Sequence, residues 1–155
     1  MNLEELQIEY HTVTDEKIVA GALIKTVLGI EDGMVFKDER TCKLKLLIII
    51  AVDKSNKVCY GSLLVNTDPS PKAPFSPEYF ATQYLLHRTE CYESFLDYDS
   101  YVDCGKIFPI PIYKLKSGEY HGILEQEDKD AIWHILETTK VLTTKEKKRY
   151  GIKRL

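Results

Sequence analysis

Between Phe95 and Cys104 the chain reads Phe-Leu-Asp-Tyr-Asp-Ser-Tyr-Val-Asp-Cys. A period of two puts Asp97, Asp99, Tyr101 and Asp103 on one face and Tyr98, Ser100, Val102 and Cys104 on the other. Three carboxylates on one side of a half-buried strand must face water, a cation or a basic partner. Oxygen ligands suit magnesium or calcium, yet alternate strand positions lie about 7 Å apart and need further ligands to close a shell. No glycine-punctuated acidic loop supplies them, so the acids read as solvent-facing and neither a metal nor another cofactor is expected. Asp99, placed before Ser100, is positioned to accept backbone donors at the strand entry.

His87 and Arg88 form a second candidate after the apolar Tyr84-Leu85-Leu86. Imidazole titrates near neutrality and guanidinium binds phosphate. Neighbours on a strand face opposite sides, so at most one of the two enters a given site. His11, His121 and His134 are unclustered in sequence. Cys42, Cys59, Cys91 and Cys104 lack Cys-x-x-Cys spacing, which argues for reduced packing thiols over zinc or disulfides; Cys104 is the one to test for reactivity. Tyr79, Tyr84, Tyr92, Tyr98 and Tyr101 could build either a stacking platform or a protein interface.

The elements that must position these groups follow from periodicity. A helix is expected from about Asp15 to Leu28, with Ile18, Val19, Ala22, Leu23 and Val27 on a stripe, Thr14 at its start and Gly29 at its end. Glu31-Asp32-Gly33 reads as a turn, and Leu44–Val52 as a central strand buried on both faces. Lys54–Lys57 then makes a hairpin to Val58–Val65, with Gly61 marking a bend or bulge. Pro69, Pro71, Pro74 and Pro77 make a long surface loop. Tyr79–Leu86 fits a strand better than a helix, and Ile107–Leu115, carrying Pro109 and Pro111, fits an edge strand. Ser117-Gly118 turns the chain toward Tyr120–Leu124. The last element is a helix from about Gln126 to Thr138 with Ile132, Ile135 and Leu136 inward, followed by a solvated basic end.

With 155 residues, 44% hydrophobic and 29% charged, the chain has the size and balance of one domain. A net charge of −3 gives no global basic field, so a nucleic acid would need a local patch. The opening residues lack a basic start and apolar stretch, and the longest apolar run is short of a bilayer span; a cytoplasmic protein without membrane contact is expected.

Short strands, a proline-rich loop and a helix after the final hairpin imply an α+β fold, a small, strongly bent antiparallel β-barrel of SH3-like type. Four stretches carry a family resemblance: Gly33-Met34-Val35-Phe36, the apolar strand, Leu63-Leu64-Val65-Asn66-Thr67, and Phe95-Leu96 followed by Asp99-Ser100-Tyr101-Val102-Asp103. In that order, and with Gly122-Ile123-Leu124 before a helix, the chain resembles the MazF/PemK (Kid/ToxN) barrel over about residues 33–151. The resemblance implies a barrel over 33–124, a C-terminal helix and basic tail over 125–155, and a helical segment over 1–30 outside it, all within one domain, 1–155.

It also implies a metal-independent endoribonuclease that uses the RNA 2'-hydroxyl as nucleophile. On this resemblance Lys45 occupies the basic catalytic position and Thr67 the hydroxyl position. Beside these two, and on side-chain chemistry alone, His87 is expected as a catalytic residue and Lys43 and Arg88 as RNA contacts. The family's frequent Arg-Pro pair is Lys45-Leu46 here, a point charge in place of a bidentate fork. The implied partners are single-stranded RNA, a protein antitoxin and a second copy in a homodimer. An alternative keeps the barrel without catalysis, as a binding module that docks a basic protein through the acidic, tyrosine-rich segment 90–103.

Overall fold

The computed structural model describes residues 13–34, 36, 39, 41–65 and 77–152. Thr67, His11 and the prolines at 69, 71 and 74 lie outside the described residues. The strands are β1 (Ala22–Gly29), β2 (Cys42–Asp53), β3 (Val58–Val65), β4 (Gln83–Leu86), β5 (Ser100–Asp103), β6 (Phe108–Pro111) and β7 (Glu119–Ile123). The helices are α1 (Pro77–Phe80), α2 (Ile112–Lys116), α3 (Gln126–Thr138) and α4 (Thr144–Arg149). The strands form a seven-stranded sheet in the order β4-β5-β3-β2-β1-β7, with β6 also on β3. The registered pairs are antiparallel. That is the mixed α and β architecture expected; closure of the ladder into a barrel is not seen among the described residues.

The chain forms two compact units. The first comprises the residues up to Gly61 with Phe108–Ile123. Its core is Ala22, Leu23, Ile24 and Leu28 of β1, Leu47–Ile50 of β2, Ile110 and Leu115, all at 3% exposure or less. Each such aliphatic side chain contributes about 1.5–3 kcal/mol on removal from water. The second unit comprises Ser62–Ile107 with Leu124 onward. It buries Leu86, Tyr92, Val102, Cys104, Ile132 and Leu136.

The central strand and its hairpin form as expected, but burial on both faces is confined to Leu47–Ile50: Leu44 is 48% exposed, and Leu46, Ala51 and Val52 are half-buried. The loop 54–57 is pinned by Asp53, which accepts from Asn56 N at 3.2 Å and Asn56 Nδ2 at 2.7 Å. Gly61 is a close approach in place of a bulge: a Cβ there would meet Leu47 Cδ1 at 3.2 Å and Ile48 O at 3.3 Å. Gly33, at φ 93°, closes the expected turn. Helix α3 spans the expected residues, although Ile135 is half-buried and only Ile132 and Leu136 are fully inward.

Four expectations are corrected. The N-terminal helix over 15–28 is a short 3-10 turn, Asp15–Lys17, followed by β1. Because β1 lies between β2 and β7, Ala22, Leu23 and Ile24 are buried on both faces, and a strand buried twice shows no period of two. Its continuous apolar run imitates a helical stripe. The segment 95–104 is a strand only from Ser100, since the chain before it winds through turns, with Glu93 N on Thr89 O and Leu96 N on Tyr92 O, both 2.9 Å. Over 79–86 both signals are right in part: Pro77 opens α1, and the strand begins at Gln83. Finally, Ile107–Leu115 is a strand only to Pro111, whose missing N–H ends the ladder, and Ile112 starts α2. The basic end is likewise partly structured: α4 carries a Thr143–Glu146 capping box, and the buried Lys147 donates to Glu137 O at 2.8 Å.

Candidate functional site

Register decides which side chains β2 presents. Thr26 faces Lys45 and Leu28 faces Lys43 across the β1–β2 ladder, so all four lie on one side of the sheet. Thr26 is 3% exposed and its Oγ1 donates to Lys114 O at 2.7 Å, which seats α2 over that end. Away from that cover, Lys45 is half-buried and Lys43 is exposed. Lys45 therefore loses part of its hydration while staying reachable. Desolvation, and secondarily the charge of Lys43, hold its pKa below the ordinary lysine value.

A buried ion pair fixes the helix that covers this face. Lys114 Nζ donates to Asp32 Oδ2 at 2.5 Å and to Glu31 Oε1 at 2.7 Å, and Asp32 also accepts from Gly29 N at 2.8 Å. Desolvation works against the charge of Lys114, but the hydrogen bonds to Asp32 and Glu31 outweigh it and raise the pKa. The side chain of Asp32 is 3% exposed, so this carboxylate depends on its partners.

His87, Arg88 and the acids of 97–103 belong to the second unit. Asp99 accepts from Arg88 N at 2.7 Å, as its place before Ser100 suggests, and its other oxygen lies 3.1 Å from His87 Nδ1. The Arg88 backbone bond, then the His87 bond, hold the Asp99 carboxyl below its usual range. The guanidinium of Arg88 donates to Leu96 O and Glu93 O at 2.5 and 3.4 Å. His87 and Arg88 thus share an acceptor but send their side chains to different partners; both follow β4, which ends at Leu86, so the rule for adjacent strand residues does not govern them. Asp103 is internal in role, accepting from Tyr79 Oη at 2.8 Å and Gln83 Nε2 at 2.9 Å.

The tyrosine-rich segment is divided in the same way. Tyr92 is 1% exposed; its hydroxyl donates to Asp128 Oδ2 at 2.5 Å and accepts from Glu125 N at 2.8 Å, while Tyr84 Oη holds Asp128 Oδ1 at 2.6 Å. These hydroxyls tie β4 and the 89–96 turns to the first turn of α3. Tyr98, 65% exposed, is the tyrosine of this segment that faces outward most.

Sequence spacing left His121 isolated, but pairing does not. Lys25 faces Glu119 across β1–β7, and His121 Nε2 lies 3.3 Å from Glu119 Oε2. Burial lowers the His121 pKa, and the Glu119 carboxylate opposes that shift. The signal was a Glu-x-His spacing on a strand, visible only once 119–123 is read as β7. Cys104 is not the accessible thiol: burial pushes it and Cys59 up to about 12, and the exposed cysteines are Cys42 and Cys91. Among the described residues no group of His, Cys, Asp and Glu could hold a metal ion, and no helix is long and apolar enough to cross a membrane.

No model of a known protein family matches this chain, and no curated protein does. A solved structure does: an endoribonuclease in complex with its cognate antitoxin, from mycobacterial species, superposes with a TM-score of 0.52. Its identity to this chain is 15%, and the match covers 77% of this chain and 91% of that one, so what the two share is a fold.

Proposed function

We propose that this protein is a toxin-type endoribonuclease of the MazF/PemK kind, cutting single-stranded RNA without a metal. On this reading it is a cytoplasmic homodimer neutralised by a protein antitoxin. The observation that carries the reading is Lys45, a half-buried ammonium beside Lys43 on the central strand of a fold that an endoribonuclease shares. A cation partly stripped of water acts more strongly on charge that grows at phosphorus than one in bulk solvent.

The 2'-oxygen, losing its proton to a base, attacks phosphorus. The 5'-oxygen leaves with a proton, and a 2',3'-cyclic phosphate and a 5'-hydroxyl remain. Lys45 stabilises the phosphorane charge, and Lys43, on the same face of β2, takes a flanking phosphate. Purified protein should cut RNA in EDTA and leave cyclic phosphate ends, sedimenting as a dimer, and Lys45→Ala should abolish the cut. Cleavage that EDTA stops, or that survives Lys45→Ala, refutes the mechanism. Intact RNA at high protein concentration would favour the binding-module reading, which Tyr98, exposed among Glu90, Glu93 and Asp97, supports.

A further inference from the structure

The β2–β3 hairpin carries a lysine in a conformation unsuited to its type. Lys57 has φ 55°, in the left-handed region, and is the one non-glycine residue there among the described residues. Local strain of this kind persists where the surroundings hold it and tends to accompany function. Lys57 N donates to Lys54 O at 3.4 Å, which closes the turn and keeps the two lysines within about 7 Å at Cα. Ile112 N donates to Lys57 O at 3.0 Å, fastening the turn to the start of α2, so that Tyr113 stands beside it. Lys116 lies three residues further along α2, on the side of Tyr113.

Lys54, Lys57, Lys116 and Tyr113 line a cavity of about 440 Å³ whose apolar floor includes Ile18 and Val52. Its volume is that of a small-molecule site. Against these three ammonium groups stands one lining carboxylate, Asp15, which Lys116 holds at 2.8 Å. Lys54 and Lys57 have exposed side chains, and Tyr113 offers an aromatic ring that is 70% exposed. Ammonium groups bind phosphate as point charges, and an exposed ring beside an apolar floor accepts a planar base.

We infer that this cavity is a nucleoside-phosphate site, the phosphate held by Lys54 and Lys57 and the base stacked on Tyr113. The site does not depend on the nuclease reading, because none of its residues belongs to that mechanism. A glycine at 57 would remove the strain and the ammonium together. The same chemistry is presented by a free mononucleotide and by one nucleotide of an RNA strand.

Calorimetric titration of the full chain with adenosine 5'-monophosphate, inorganic phosphate and a 2'-O-methyl oligoadenylate separates these. The methylated strand cannot be cut, so the readout is independent of cleavage. Saturable binding of the mononucleotide, or of the strand alone, is expected, and identifies which source the site takes. Lys57→Gly should weaken that binding about tenfold while raising Tm, because glycine relieves the backbone. Tyr113→Ala should weaken it by a similar factor through lost stacking. Three results overturn the inference: no binding of either nucleotide ligand, binding unchanged in both variants, or inorganic phosphate bound as tightly as the mononucleotide with Tyr113→Ala silent.

Discussion

Replacing Lys45 by methionine should make this protein more stable and, on the nuclease reading, inactive. Methionine keeps the unbranched stem and removes the charge. Two unfavourable contributions vanish with that charge. Lys43 and Lys45 share a face two residues apart, about 7 Å, and at that distance like charges in water repel by about 0.6 kcal/mol before salt screening. Partial desolvation, the larger cause of the lowered Lys45 pKa, adds to this. Together they suggest a gain of about 0.5–1.5 kcal/mol, or roughly 1–5 °C in Tm.

The sign follows from linkage. Because the folded-state pKa is below the unfolded value, the unfolded chain binds more protons between the two. The cost of the charge is therefore full below the folded pKa and fades as pH rises toward the unfolded value. The stabilisation by Lys45→Met should accordingly be present at pH 7 and shrink near pH 10.5. Loss of one preorganised charge should meanwhile cost about 10²–10³ in cleavage rate. Thermal unfolding and RNA cleavage on the same preparations measure both quantities. A variant that melts lower than the parent and cuts equally fast would show Lys45 to be a packing residue, and the reasoning would fail.

Lys114→Met should lower stability by about 3–5 kcal/mol, because it leaves the buried Asp32 carboxylate without its ammonium; denaturant unfolding measures it, and a loss below about 1 kcal/mol would mean that Gly29 N suffices. Iodoacetamide at neutral pH should alkylate Cys42 and Cys91 in the folded protein and reach Cys59 and Cys104 only after denaturation; peptide mapping that finds native Cys104 labelled contradicts the burial.

Local chemistry was legible where one physical signal acted alone. The run Leu44–Val52 reads as a strand and lies within β2, Gly33 and Gly118 sit at turns, and the periodicity of 126–138 gives the bounds of α3. Signals that compete were misread. Pro77 and the Tyr79–Leu86 alternation each claimed one segment and each rules a part of it. In Ile107–Leu115 the alternation runs on past the proline that ends the strand.

Composition and local pattern by themselves determined the mixed α and β class, the central hairpin, the last long helix and the candidate cations, since these depend on side-chain hydrophobicity and torsional preference within a few residues. Which groups meet was decided by tertiary structure alone. Sheet order buried Ala22, Leu23, Ile24 and Leu28 and turned an apparent helix into β1, pairing set Glu119 beside Lys25 and His121, and α2 brought Lys114 onto Asp32 across 82 positions of chain. The reason is that a side chain's protonation, strain and partners depend on its neighbours in space, and those are chosen by long-range pairing that no local window contains.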